Sequence, residues 1–321
     1  MIRRPPRSTR KESSAASDVY KRQYIFSTCL LINFLLLNAC SDNKSLPNRG
    51  TGGKEIVSLQ ELKLRKYYNR LEKRKLSLGL LRQDGGGTDT PFDVEDIVEV
   101  FEKLAFYNEY NIDENRLLPN KEIVNLGKWS SKINISTLFG ASVDIKQKEK
   151  DLLDINNLLV ILSKATKHEI EISKQNVNMY VVVGNQKEVE EIVSEISINS
   201  PEFNPKRLSI ITQIPKEIHC LAMTSISSEP SSEIRTALVI IRSELPNLMR
   251  KACFHEEIAQ SLGLTNDSHL ARPSIFNDDD EFATLTKLDK ILLQILYDSR
   301  LYSGISKQKS SRLLRLSLIH I

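Results

Sequence analysis

Between Cys253 and Asp267 the chain reads Cys-Phe-His-Glu-Glu-Ile-Ala-Gln-Ser-Leu-Gly-Leu-Thr-Asn-Asp, with Glu256, Glu257, Gln260, Asn266 and Asp267 as its carboxylates and amides. On a helix, Glu256, Ala259, Gln260 and Gly263 share one side, and Phe254, Ile258 and Leu262 form an apolar stripe on another. A glutamate whose pKa is raised by burial can act as general acid or base on a peptide or a sugar, which makes Glu257 the catalytic candidate if the protein is an enzyme. Adjacent glutamates point about 100° apart on a helix, so Glu256 and Glu257 are not placed to share a proton. The oxygen donors Glu256, Gln260, Asn266 and Asp267, with further acid at 277–281, suit calcium or magnesium better than zinc, although the spacing of a dedicated calcium loop is missing. Zinc takes histidine nitrogen, cysteine sulfur or carboxylate oxygen, and neutral amides serve it poorly, so no metal and no cofactor is expected. The register His255-Glu256-x-x-Ala259 fails as a zinc motif because alanine stands at the second histidine, and His255 is expected to be exposed or to cap the helix. The bland alternative is that the amides and carboxylates simply satisfy one another, which can fix the local geometry without any ligand.

No Gly-x-Ser-x-Gly, phosphate-binding or dinucleotide fingerprint accompanies this stretch, and His168 and His219 lack the context of a triad. The elements that must position it are legible from periodicity. Leu59, Leu62, Tyr67, Leu71 and Leu78 predict a helix rich in Lys and Arg; its charge could meet anionic headgroups or cell-wall polymer, or be a solvated face. After the loop chemistry of 83–91, Val94, Ile97, Val98, Phe101 and Leu104 predict a second helix. Strands are expected over 128–137, with Ile133 and Ile135 inward, and over 168–173, 177–183, 218–224 and 234–241; helices are expected from 152 to 162 and from 187 to 196. Thr286 and Asp289 form a capping box that opens a last helix. The fold class is α/β (α+β), a mixed twisted sheet with long helices and a C-terminal helical subdomain.

The ends change the bulk numbers. Asp18–Gln23 can be encoded by a DNA stretch whose reverse complement encodes Leu316–Ile321, so 1–23 and 316–321 read as the translated halves of one inverted adapter. Those ends hold seven of the 45 Lys+Arg and two of the 41 Asp+Glu, leaving 38 against 39. A near-neutral chain gives no reason to expect a nucleic-acid partner. Residues 24–39 are uncharged and mostly apolar, shorter than the roughly 20 residues that span a bilayer, and match the apolar region of a secretory signal.

Two resemblances sharpen this picture. Leu37-Asn38-Ala39-Cys40 resembles the lipobox of bacterial lipoproteins, which implies lipidation of Cys40, a signal peptide at 24–39 and a membrane partner; Ser41 then implies the outer membrane if the cell is Gram-negative. With Cys29 in the signal and Cys40 lipidated, Cys220 and Cys253 remain in an oxidising compartment as a disulfide, or otherwise as two buried thiols. Glu256-Glu257-x-x-Gln260-x-x-Gly263-x-x-Asn266 resembles the metzincin helix and turn, His-Glu-x-x-His-x-x-Gly-x-x-His, with all three zinc histidines replaced. In that resemblance Glu257 aligns with the general base, and Phe276 of Pro273-Ser-Ile-Phe-Asn277 stands where metzincins place a methionine beneath the metal. Together with Leu296-Tyr-Asp298, the pattern is similar to an uncharacterised bacterial family known only as a domain of unknown function.

The organisation expected is therefore a signal at 24–39, lipidated Cys40 and a flexible tether at 40–57, a charged helical prelude at 58–83, a zincin-like domain at 84–305 and a tail at 306–315. The function expected is non-catalytic binding of a peptide or cell-wall ligand in the cell envelope through Glu256, Gln260, Asn266, Asp267 and Phe276. The alternatives are an envelope hydrolase using Glu256 or Glu257, and a structural member of an envelope complex.

Overall fold

A computed structural model describes residues 58–318, apart from 109, 114–115, 120–121, 201–202, 204–213 and 229. The signal, Cys40, the tether and the N-terminal adapter-like stretch lie outside the described residues. The elements run α1 (Leu59–Ser77), α2 (Val94–Ala105), β1 (Tyr110–Asp113), β2 (Arg116–Pro119), β3 (Ile133–Phe139), α3 (Ile145–Thr166), β4 (Ile170–Ile172), β5 (Met179–Gly184), α4 (Gln186–Asn199), β6 (Cys220–Ile226), β7 (Ile234–Arg242), α5 (Asn247–Gln260), α6 (Lys287–Leu296) and α7 (Lys307–Leu318). No helix among the described residues is long and apolar enough to cross a membrane.

The sheet has the order β4-β3-β5-β7-β6, parallel throughout except for β6, which runs antiparallel to β7 at one edge. Its middle strands are continuous apolar runs, Val181-Val-Val183 and Leu238-Val-Ile-Ile241, because both faces are covered. Val182, Leu238 and Ile240 pack under α4 against Val189, Val193 and Ile196. Val181, Val183, Val239 and Ile241 face the larger core with α3, α5 and α6. The expected α/β architecture with a mixed sheet is the one observed.

Short-range chemistry fixes the ends of these helices. Asp93 and Asp96, Asn185 and Glu188, and Thr286 and Asp289 form capping boxes on α2, α4 and α6. Helix α5 differs: Pro246 stands at its N-cap and makes no side-chain cap. A carboxylate from elsewhere substitutes, since Glu72 Oε2 on α1 accepts from Met249 N at 3.1 Å. The prelude helix is therefore built into the domain, with Tyr68 fully buried and its hydroxyl donating to Lys216 O at 2.8 Å.

Two elements depart from expectation. The β1–β2 hairpin had no sequence signal strong enough to read. Residues 306–315, expected as a tail, lie largely within α7, which buries Leu314, sets Ser311 against Glu102 and pairs Arg315 with Glu95 of α2.

Candidate functional site

Helix α5 is more deeply embedded than its two-sided pattern suggests. Phe254, Ile258, Ala259 and Leu262 have no exposed surface, and His255, Glu257 and Gln260 are also buried. The turn that ends the helix is held from several directions. Trp129 Nε1 donates to Ser261 O at 2.7 Å, and Tyr297, its phenol pushed far up by burial, donates to Leu262 O at 3.1 Å. Gly263 follows at φ +125°, and a Cβ there would lie 2.2 Å from Gly127 O, so both the conformation and the close approach require glycine.

Cys220 at the start of edge strand β6 is joined to Cys253 on α5 by a disulfide, with Cα atoms 5.9 Å apart. Beside it, one carboxylate oxygen each from Glu256 and Glu257 and the sulfur of Cys220 lie within 4.8 Å of one another. Flexible side chains thus bring two carboxylates together whose Cβ directions diverge. The sulfur is bonded to Cys253 and is no thiolate, so in this state only the two carboxylates have the character of metal ligands.

The other expected site residues divide into pairs. Gln260 Nε2 donates to Asp267 Oδ1 at 3.0 Å. Asn266 Nδ2 donates to Lys103 O of α2 at 2.9 Å, and the neighbouring Thr265 hydroxyl to Tyr107 O at 2.9 Å. The amides of Gln260 and Asn266 therefore tie the loop to α5 and to α2. Phe276 is fully buried, and its carbonyl accepts from Ser268 N at 2.9 Å, which sets its turn against the loop carrying Asn266 and Asp267. The acid at 277–281 is engaged by cations: Glu281 by Arg272 and Arg82, which hold it below the usual carboxylate range, and Asp280 by Lys75.

His255 corrects an expectation. Read as exposed or capping, it is buried, and its Nδ1 accepts from Leu285 N at 3.1 Å. Burial, with Lys251 and Lys290 nearby, lowers its pKa to about 3, so the ring is neutral. The reason is tertiary: the segment before α6 closes over it, thirty residues away in sequence.

Sequence reasoning also missed a buried polar set at the carboxyl end of β7. Arg242 donates to the carbonyls of Ile214, Pro215 and Ile218, and Arg250 pairs with Asp151 at 2.9 Å. Glu244 is buried, with Oε2 unpaired, and burial raises its pKa. The signal available was a charged pair directly after an apolar strand, Ile241-Arg-Ser-Glu244.

Comparison with known proteins gives one match. The family model described as "Protein of unknown function (DUF2927)" covers residues 94–315, more than half of the chain, and the chain belongs to that family. No curated protein and no solved structure matches it.

Proposed function

We propose that this family member is a lipid-anchored cell-envelope protein whose α5 region is a metzincin-like site rebuilt with oxygen-bearing side chains, binding a peptide or cell-wall ligand without cleaving it. The observation that carries this reading is the use made of the amides. Gln260 and Asn266 hold the loop after α5 by hydrogen bonds to Asp267 and to Lys103 O, where the resembling motif would spend two histidines on zinc. A buried polar cluster satisfied in this way keeps a turn in shape at no cost in unpaired charge.

Further support comes from order and redox state. A strand, a long helix, more strands with α4 inserted after β5, and then the glutamate-bearing helix follow one another in an order that resembles the upper subdomain of zincins. Gly263 keeps the sharp turn that ends such a helix. The Cys220–Cys253 disulfide suits an exported protein, in keeping with the lipobox-like Leu37–Cys40. Edge strand β6 begins beside Glu256 and Glu257, so a ligand lying along it would pass Glu256, the less buried of the two.

The proximity of Glu256 and Glu257 favours one second reading, an envelope hydrolase in which Glu257 acts as acid or base. Incubating the full chain with insoluble cell-wall sacculi and with an unstructured peptide separates the two. Binding with no released fragments is expected. Fragments that vanish with Glu257→Gln would make the protein a hydrolase instead.

A further inference from the structure

A cavity borders α5 without Glu256 or Glu257 in its lining. It measures about 280 Å³ and is lined by α3, α5, the segment before α6 and α6 itself, with Lys251, His255, Lys290, Asp154 and Asn157 as polar walls and Leu158, Ile161 and Leu285 as apolar ones. Lys251 approaches Asp154 only at 3.7 Å, and Lys290 stands in no ion pair among the described residues.

His255 supplies a fixed donor. Because Nδ1 accepts from Leu285 N, the neutral ring carries its proton on Nε2, and that atom makes no protein hydrogen bond among the described residues. Two ammonium groups and one ring N–H, on two different helices, therefore line one small space.

We infer that this cavity binds a small monocarboxylate bearing an apolar substituent, such as the free carboxyl end of a short peptide. Charge sets the class: two lysines and one aspartate leave a single net positive charge, matched by a monoanion and not by a phosphate dianion. Size and lining set the substituent, since Leu158, Ile161 and Leu285 offer a patch fit for one small aliphatic group. A larger cavity of about 350 Å³, lined by Lys128, Trp129, Glu233 and Tyr302, does not compete. Its lysine is already committed to the carbonyls of Leu296, Asp298 and Leu301 at the end of α6. The inference is independent of the reading of Glu256 and Glu257, which its test does not involve.

The test is an amide-resolved NMR titration of the full chain with N-acetylalanine, with N-acetylalaninamide and with inorganic phosphate. The acid is expected to shift signals around 251–255 and 284–290 saturably, and the amide to leave them in place. Lys290→Ala should weaken binding about tenfold, the size of one charge-assisted hydrogen bond, without lowering the melting temperature, and Lys251→Gln should also weaken it. Equal binding of the neutral amide, shifts confined to other residues, or an unchanged affinity in both variants would overturn the assignment. Phosphate binding as tightly as the acid would also overturn it.

Discussion

Asp289 has no exposed surface, and its carboxyl accepts from Ser274 Oγ, Ile275 N, Thr286 N and Thr286 Oγ1. Burial pushes its pKa up while those donors pull the other way. Asp289→Ala strands several buried donors at once and is expected to cost at least about 3 kcal/mol, read from the urea midpoint. His255 makes a prediction in pH. Its folded pKa, about 3, lies below the 6.5 of an unperturbed histidine, so the unfolded chain binds the extra proton. Its contribution is whole above pH 6.5 and is lost as pH falls toward 3, at up to roughly 1.4 kcal/mol per pH unit. His255→Asn, which keeps an acceptor for Leu285 N, should flatten the fall in stability between pH 6 and 4 relative to the wild type. The capping half of Asp289's role was readable because Thr286 and Asp289 are three residues apart. Its grip on Ser274 and Ile275 was not, and neither was the burial of His255, since both depend on which distant loop closes over which helix.

At the scale of elements, the middle strands announced themselves because a parallel strand covered on both faces must be apolar throughout. The β1–β2 hairpin has only four residues per strand, and α7 falls mostly in the stretch read as a tail, with its last turn in the stretch set apart on its coding resemblance. The dependence of α5 on α1 was equally invisible, because a proline at an N-cap says only that a cap is missing. Glu72→Ala is expected to lower stability by about 1 kcal/mol, as loss of an ordinary N-cap does, with Met249 N left unpaired. Thermal denaturation of the full chain checks it. The link between β6 and α5 matters more: replacing Cys220 and Cys253 by serine should cost roughly 3 to 4 kcal/mol, because a closure of 33 residues then returns to the unfolded chain. Chemical denaturation with and without reductant should show the same loss in the wild type.

For the whole molecule, the chain supplies a family, a mixed α/β sheet and a disulfide-tied helix carrying two carboxylates, and the role we propose rests on the resemblance of Glu256, Gln260 and Asn266 to the zinc-ligand positions of metzincins. That account is tested most directly by the zinc held by the purified, disulfide-bonded full chain after exposure to excess metal and gel filtration. It predicts that no stoichiometric zinc is retained, and that Glu257→Gln changes neither this result nor the absence of peptide cleavage. Stoichiometric zinc, accompanied by hydrolysis that disappears in Glu257→Gln, would contradict it.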